Sequence, residues 1–133
     1  VKGECCGLPF LGQVLSAEGL EGYEIHMGHT ADAEAGLLHP IVVTERSQQA
    51  CHVVHGTARC DGLVWGTYMH GIFDNDAFRR DFLNCLRRQK GLQPLAVRRN
   101  FRAEKQKSYD RLAAVVRAHL DMDTLRRIMA GRD

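Results

Sequence analysis

The first half of the chain places apolar and polar residues in short alternation, a pattern that is typical of β-strands with one buried face. Two strands are predicted near residues 12–17 and 22–27, and the Glu18-Gly19 pair between them predicts a turn. The apolar run within HPIVVTER, residues 39–46, predicts a third strand. This part of the chain is therefore expected to consist mainly of strands.

A β-hairpin is predicted farther along, in CHVVHGTARCDGLVWGTYMH, residues 51–70. Asp61 and Gly62 separate its two alternating runs, and an Asp-Gly pair is a strong signal for a tight hairpin turn. Residues 31–37 are polar and follow no period, so a loop is expected there.

After His70 the apolar period changes from two to about 3.6 residues, which indicates helix. A helix is predicted over about residues 75–90; Asp74 or Asn75 can cap its start, and Gly91 can end it. Its apolar stripe consists of Phe78, Phe82, Cys85 and Leu86.

The last third of the chain is charged and helical in pattern. Pro94 marks a connector over residues 91–100, a further helix follows, and Asp121 or Asp123 can cap a short terminal helix. The apolar stripes of these two helices consist of Tyr109, Leu112, Val116 and Leu120, and of Leu125, Ile128 and Met129.

Strands in the first half and helices in the second fit two fold classes. One is an α+β domain, and the other is the back part of an α/β domain. Residues 1–92 are expected to form the domain, and residues 93–133 a helical tail that packs on it. The pattern alone leaves both classes open.

Composition narrows the possible partners. At 133 residues, with 44% hydrophobic residues, the chain is long enough for one globular domain with a core. The formal charge of +2 is too small to favour nucleic acid or an anionic membrane as a partner. No run approaches the ~20 apolar residues of a membrane helix. The N-terminus also lacks a signal-peptide pattern, so a cytoplasmic location is expected.

Five cysteines make an odd number with no CxxC spacing, so neither a disulfide framework nor a cysteine-rich zinc site is expected. Cys5 and Cys6 could be considered as nucleophiles, but a nucleophilic cysteine of an α/β sheet needs a tight turn between a strand and a helix. Pro9 follows them and no helical run lies behind, so these two thiols are expected to be structural.

Seven histidines raise the question of a metal site. His52 and His55 are three apart in a predicted strand and would point to opposite faces, which disfavours joint ligation. His26 and His29 could pair only if the chain turned between them. No bound metal is therefore expected.

His70 lies where the predicted hairpin ends and a Gly71 turn begins. In open α/β sheets, reactive groups collect at the carboxyl ends of strands, because loops there project side chains into a crevice. An isolated histidine is nevertheless more often held by a backbone partner without doing chemistry. Position alone therefore leaves its role open.

The segment GYEIHMG, residues 22–28, holds a second candidate pair. In a strand, Glu24 and His26 would point to the same face, where a carboxylate and an imidazole could orient a substrate or each other. The same pattern also fits a solvent-exposed polar face. Both interpretations stay open on the residues alone.

Two motifs in order, GYEIHMGHT and GTYMHGIFDNDAFRRDFL, strongly resemble the CobB/CobQ-type class I glutamine amidotransferases, the family of cobyric acid synthases and cobyrinic acid a,c-diamide synthases. The later segment YDRLAAVVRAHLDMDTLRRIM is similar to the C-terminal tail of the cobyric acid synthase branch. The resemblance covers residues from about 9 to 130.

The resemblance implies the C-terminal part of a flavodoxin-like amidotransferase domain. It implies an ATP-dependent ligase of cobalamin (vitamin B12) biosynthesis, in which glutamine hydrolysis supplies ammonia for four amidations of adenosylcobyrinic acid a,c-diamide to adenosylcobyric acid. A separate N-terminal synthetase domain would bind ATP, Mg²⁺ and the corrin. No cofactor is therefore expected in this chain itself.

The resemblance also implies roles for individual residues. His70 would be the base for an upstream nucleophilic cysteine, and Glu24 or His26 would contact the substrate or orient His70. The chain departs from the family pattern in two ways: it has no GxCxG-like nucleophile elbow, and Ile72 stands where many such enzymes have a glutamate. The chain begins at Val1, and we expect a fragment that is inactive alone and self-associates through uncovered surfaces.

Three alternatives remain at this stage. The chain could belong to the a,c-diamide synthase branch, which differs in the carboxylates amidated. It could be a non-catalytic module that only docks a synthetase subunit. It could also be a histidine-rich metal binder, which would carry stoichiometric zinc.

Overall fold

The computed structural model describes residues 1–28, 30–32 and 34–131. It divides the chain into two compact units, Val1–Arg99 and Asn100–Asp133. Strands come first and helices follow, so the predicted order of elements is confirmed. The packing of the tail on the domain stays a prediction. None of the described helices is long and apolar enough to cross a membrane.

A four-stranded antiparallel sheet organises the first unit. Its strand order is β2-β1-β3-β4, so β1 and β3 are central and β2 and β4 are edges. The strands are β1 Lys2–Phe10, β2 Gln13–Glu21, β3 Ile41–Arg46 and β4 Gln49–His55. The parallel pairing of a flavodoxin-like sheet is not seen among the residues that the structure describes.

The first two strands differ from the prediction in their bounds. β1 was not predicted, because register shifts along it break the alternation of its side chains. The turn to β2 lies at Leu11 and Gly12, both with positive φ, and not at Glu18-Gly19. Gly19 has a φ of 62° and stays within β2, close to a shift in the register. The glycine therefore serves a bulge instead of a turn.

Residues 22–27 do not form the predicted strand. In this segment, which the structure describes throughout, Gly22 pairs with Val1 and Tyr23 forms an isolated bridge to His70, but no strand continues beyond them. The apolar side of the predicted strand stays in solvent, with Ile25 78% and Met27 96% exposed. Because that side packs against nothing in the described chain, the ladder does not continue past Tyr23.

The third predicted strand and the predicted hairpin are confirmed, as β3 and as the pair β5 Thr57–Ala58 and β6 Trp65–Gly66. Each hairpin strand is only two residues long. Gly62 in the turn has a φ of 65°, and a Cβ there would lie 1.5 Å from the carbonyl oxygen of Pro9. Only glycine fits this turn.

The loop predicted at residues 31–37 is confirmed for residues 31–32 and 34–37, which form no strand or helix. Ala33 lies outside the described residues. So does His29, one of the histidines considered above for a metal site.

Helix α1, Asp76–Gln89, confirms the first helix prediction and follows a 3₁₀ turn at Ile72–Asp74. Asn75 occupies the cap position, but its side chain makes no capping hydrogen bond. It binds β2 instead: its Oδ1 accepts from the Glu21 N–H at 2.9 Å, and its Nδ2 donates to the Glu21 carbonyl at 2.9 Å. The predicted cap is thus a tether between two elements.

The second unit contains α2 Phe101–His119 and α3 Met122–Met129, as predicted. The Asp121 side chain accepts hydrogen bonds from the N–H groups of Asp123 and Thr124, which confirms Asp121 as a cap of α3.

The core of the first unit lies where the sheet meets α1. The rings of Phe10 and Phe82 stack with centroids 4.4 Å apart, which joins β1 to α1. The packing therefore anchors the segment between β6 and α1 that carries His70. The buried cluster consists of Cys5, Leu8, Phe10, Leu15, Leu20, Ile41, Val43, Ala58, Met69, Ile72, Phe78 and Cys85.

Candidate functional site

The two candidate motifs meet in the structure through their backbones. The Tyr23 N–H donates to the His70 carbonyl at 3.1 Å, and the His70 N–H donates to the Tyr23 carbonyl at 2.8 Å. Gly22 permits this approach, because a Cβ at that position would lie 2.5 Å from the His70 carbonyl oxygen. The glycine that opens GYEIHMG is therefore required by the contact with GTYMHG.

The His70 ring lies against the ring of Tyr23. The two centroids are 5.0 Å apart and the planes differ by 10°, so the rings are stacked. His70 itself is exposed and open to a reactant. Ile72 stands at the position where many enzymes of the resembling family have a glutamate. Its side chain is 6% exposed and belongs to the core. Backbone pairing and ring stacking thus hold His70 in place.

Glu24 lies beside the bridge and binds two other residues. Arg46 donates to both of its carboxylate oxygens, from Nε at 2.8 Å and from Nη2 at 3.1 Å. His55 Nε2 lies 2.8 Å from Glu24 Oε1. Burial opposes ionisation of Glu24, but the hydrogen bonds and charge of Arg46, together with the hydrogen bond to His55, outweigh it, so the Glu24 pKa lies below its ordinary value.

Within the described residues, no hydrogen bond or ion pair joins Glu24 to His70. Glu24 reaches the site through its neighbour Tyr23, which makes the bridge to His70. The structure therefore places Glu24 next to the histidine segment without placing its carboxylate on the histidine ring.

His55, at the end of β4, is 8% exposed, and each of its two ring nitrogens has a polar partner. Its Nδ1 lies 3.1 Å from Thr67 Oγ1, opposite the contact of Nε2 with Glu24. Burial lowers the His55 pKa below its ordinary value, and the charge of Arg46 lowers it further, against the opposite effect of Glu24. His55 is therefore neutral at pH 7.

His26, the other predicted site residue, stacks on Tyr68. The ring centroids are 3.6 Å apart and the planes differ by 13°. The Tyr68 hydroxyl is hydrogen-bonded to Thr30 Oγ1. The edge of His55 lies against the same tyrosine ring, with the centroids 5.5 Å apart. Tyr68 thus separates the two imidazoles.

These side chains line a cavity of about 1130 Å³. Its wall also carries His39, which contacts the Gly56 carbonyl through Nδ1 at 2.9 Å and Asp32 through Nε2 at 3.0 Å. The hydrogen bond to Gly56 raises the His39 pKa, and Asp32 raises it further. The side chains of the two motifs and of β4 that line the cavity include Tyr23, Glu24, His26, His55, Thr67 and Tyr68, whereas His70 is not among the lining residues.

The thiols stand apart from this arrangement. All five cysteines are free, and none lines the cavity. Burial raises the pKa of the Cys5 thiol, and the Cys6 thiol pKa is also raised, by desolvation and by Glu4. Neither thiol is activated as a nucleophile. Among residues 1–28, 30–32 and 34–131, no group of three or more His, Cys, Asp or Glu side chains could hold a metal ion.

The structure adds residues that sequence reasoning did not find. Arg46 and His55 hold the Glu24 carboxylate but lie outside the two recognisable motifs, whereas Thr67, which binds His55 and Met69, lies within GTYMHG without having been singled out. Arg46 ends a strand and His55 lies on an edge strand, so neither carries a local signal. The β3–β4 register pairs Arg46 with Gln49 and His55 with Ile41, at opposite ends of the ladder, and the two side chains meet only at the Glu24 carboxylate.

A family model described as a CobB/CobQ-like glutamine amidotransferase domain matches residues 11–78, just over half of the chain. A cobyric acid synthase of Caldanaerobacter subterraneus is 44% identical over 127 residues, which cover 90% of this chain and 25% of the relative. Cobyric acid synthases of Thermoanaerobacter sp. and Klebsiella pneumoniae are 40% and 44% identical, over 92% and 83% of this chain.

The chain thus spans about a quarter of the length of the curated relatives that it matches. No solved structure matches it at a significant level.

Proposed function

Because the chain belongs to the family of CobB/CobQ-like glutamine amidotransferase domains, we propose that it is part of a glutamine-hydrolysing, ATP-dependent amide ligase of cobalamin biosynthesis. The reaction is the amidation of adenosylcobyrinic acid a,c-diamide at four side-chain carboxylates, giving adenosylcobyric acid. The similarity to cobyric acid synthases over most of this chain supports this choice of substrate.

The longer protein supplies what this chain lacks. The chain has no GxxxxGK[S/T] phosphate-binding loop, so ATP and Mg²⁺ bind in a synthetase part outside it. The nucleophilic cysteine likewise comes from an adjoining segment of a flavodoxin-like amidotransferase domain, of which residues 1–92 are the C-terminal part. The chain alone is then inactive in glutamine hydrolysis.

The observation that carries the proposal is the backbone bridge between Tyr23 and His70. It joins the two motifs that resemble the family and leaves the imidazole of His70 exposed and stacked on Tyr23, which lines the cavity. A buried structural histidine would instead be enclosed by its partners. The exposed ring on a fixed backbone suits a proton-transfer role.

His70 acts as the general base and acid in glutamine hydrolysis. It takes the proton of the cysteine thiol, and the thiolate forms a C–S bond with the side-chain amide carbon of glutamine. As the C–N bond breaks, His70 returns the proton to the departing ammonia. Water then hydrolyses the thioester, which releases glutamate, and the ammonia passes to the ATP-dependent step.

Glu24 and His26 lie where they can contact the bound glutamine. Both line the cavity next to Tyr23, whose ring stacks on His70. The Glu24 carboxylate is ionised and suits the α-ammonium group of an amino acid. We therefore assign the two residues to substrate contact, with Glu24 as the stronger candidate.

The longer protein that carries this chain tests the proposal directly. With glutamine, ATP, Mg²⁺ and adenosylcobyrinic acid a,c-diamide, mass spectrometry should show four added amides and an equivalent release of glutamate. Amidation of cobyrinic acid only at positions a and c would instead identify the diamide synthase branch. Absence of glutamate release and of amide formation with glutamine would leave a docking module.

A further inference from the structure

We propose that His55 is a positioning residue that holds the Glu24 segment and the His70 segment in register, as a neutral imidazole with its proton on Nε2. This inference rests on the proposed function for its catalytic consequence, but not for its chemistry. The groups form a closed ring of hydrogen bonds and backbone that consists of Glu24, His55, Thr67, Met69, His70 and Tyr23.

The proton on Nε2 follows from the state of Glu24. Two hydrogen bonds from Arg46 keep the Glu24 carboxylate ionised, and an ionised carboxylate can only accept hydrogen bonds. Because His55 Nε2 lies 2.8 Å from this carboxylate, Nε2 must be the donor. A lone pair at Nε2 would face the negative oxygen and repel it.

The opposite nitrogen must then accept. Thr67 Oγ1 accepts from the Met69 N–H at 3.1 Å, so its own hydroxyl proton is free to point to His55 Nδ1, also at 3.1 Å. Each polar atom of the His55 ring thereby has one partner of the right kind. A second proton on Nδ1 would remove the acceptor for the Thr67 hydroxyl.

The surroundings of the ring favour this neutral form. Arg46 lies on β3 beside it, His26 lies across the Tyr68 ring, and both oppose a further positive charge. Glu24 favours such a charge, but its carboxylate already binds Arg46 in two places. The ring is 8% exposed, so little water can stabilise a cation.

The ring of hydrogen bonds explains how His70 is fixed although Ile72 provides no carboxylate. On one side, Thr67 holds the backbone of Met69, the residue before His70. On the other side, Glu24 is held beside Tyr23, which pairs with His70. His55 is the link between the two sides, so its loss would let them move independently.

Nitrogen-15 spectroscopy of histidine-labelled protein tests the chemistry without any assay. We expect His55 to show a protonated Nε2 and an unprotonated Nδ1, and to keep this state as the pH falls through the ordinary histidine value of about 6.5. A proton on Nδ1 of neutral His55, or protonation of the ring at or above that ordinary value, would overturn the proposal. The result is the same whether or not the protein hydrolyses glutamine.

Variants of the longer protein test the positioning role. Thr67→Val removes the hydroxyl and keeps the shape of the side chain. We expect kcat for glutamine hydrolysis to fall about a hundredfold, since misplacement of a catalytic group such as His70 by about 1 Å lowers the rate by about this factor. The KM for glutamine should change less than about threefold, because the Thr67 hydroxyl is bound to His55 and Met69. Thr67→Ser should keep the rate near that of the wild type, and His52→Gln, on β4 with His55, serves as the control.

Two results of this experiment would count against the role. The second variant to be assayed is His55→Gln. If Thr67→Val and His55→Gln both kept the wild-type kcat but had lower melting temperatures, the network would stabilise the fold without positioning His70. A failure of Thr67→Ser to restore the rate would assign the loss to packing. If the parent protein itself hydrolyses no glutamine, the proposed function fails, whereas the histidine spectrum still reports on the network.

Discussion

At the scale of single residues, the site depends on the close approach of Gly22 to His70. The two motifs are far apart in the sequence. Only their glycines suggest that another segment packs closely against the backbone of each motif. The family resemblance identified His70 and Glu24 as site residues, and the structure places their segments side by side. The partners of Glu24 could not be predicted, because Arg46 and His55 are distant from Glu24 in the sequence and meet its carboxylate only in the folded chain.

Replacing Gly22 with alanine should separate the motifs. The added Cβ would lie 2.5 Å from the His70 carbonyl oxygen and 2.6 Å from Met69 Cγ, so the bridge must open. We expect the free energy of unfolding to fall by about 1–3 kcal/mol, as for other overpacked sites. Gly66→Ala is the matched control, since nothing lies within 4 Å of its Cβ position. Equal stability of both variants in denaturant titrations would refute the close approach.

The free energy of unfolding should decrease in acid, because His55 binds its proton less readily in the folded chain than in the unfolded chain. Its pKa is lowered in the folded state, so below the ordinary value of 6.5 the unfolded chain binds a proton that the folded chain does not. Stability is therefore complete above that pH and declines as the pH falls below it. Glu24 acts in the same sense at lower pH, and the exposed His39, with its raised pKa, acts in the opposite sense.

Urea unfolding of the wild type and of His55→Gln between about pH 5 and 8 measures this effect. The difference in unfolding free energy between the two proteins should shrink toward acid. A difference that stayed constant over the range would show that His55 titrates alike in the folded and unfolded chains.

At the scale of elements, one asparagine ties the end of β2 to the start of α1. Asn75 binds both backbone groups of Glu21 and also donates to the Ile72 carbonyl at 2.9 Å. The helices could be predicted because their apolar period is regular. The strand bounds could not, because turns at Leu11-Gly12 and Ser47-Gln48 adopt positive φ without an Asn-Gly or Asp-Gly pair.

Replacing Asn75 with alanine should loosen the start of α1 from β2. The change removes the two hydrogen bonds that join the Glu21 backbone to the start of α1, and we expect a loss of about 1–3 kcal/mol in the free energy of unfolding. Asn75→Asp keeps the acceptor and loses the donor, so its free energy of unfolding should lie between those of the wild type and Asn75→Ala. Thermal melts that rank Asp below Ala would contradict this assignment.

At the scale of the whole molecule, the resemblance to the family is confirmed, whereas the antiparallel sheet was not expected from it. Composition and period predict strands followed by helices, but strand direction depends on pairing between distant segments, which no local pattern records. Among the residues that the structure describes, β2 and β4 form the edges of the sheet, and exposed side chains such as Val14 and Val54 lie on them.

Open sheet edges and exposed apolar side chains should make the isolated chain self-associate. Sedimentation velocity over a range of micromolar concentrations should show species heavier than the 14.9 kDa monomer, increasing with concentration. A single monomer peak throughout that range would exclude such association.

The central claim is that His70 is the base of glutamine hydrolysis, and one comparison tests it most directly. In the longer protein that carries this chain, His70→Ala and the control His52→Ala are assayed with glutamine and, separately, with ammonia as the nitrogen source. We predict that His70→Ala lowers glutamine-dependent amidation at least about a hundredfold, while ammonia-dependent amidation is largely retained and His52→Ala resembles the wild type. Equal loss of both activities in His70→Ala would contradict the account and make His70 a structural residue.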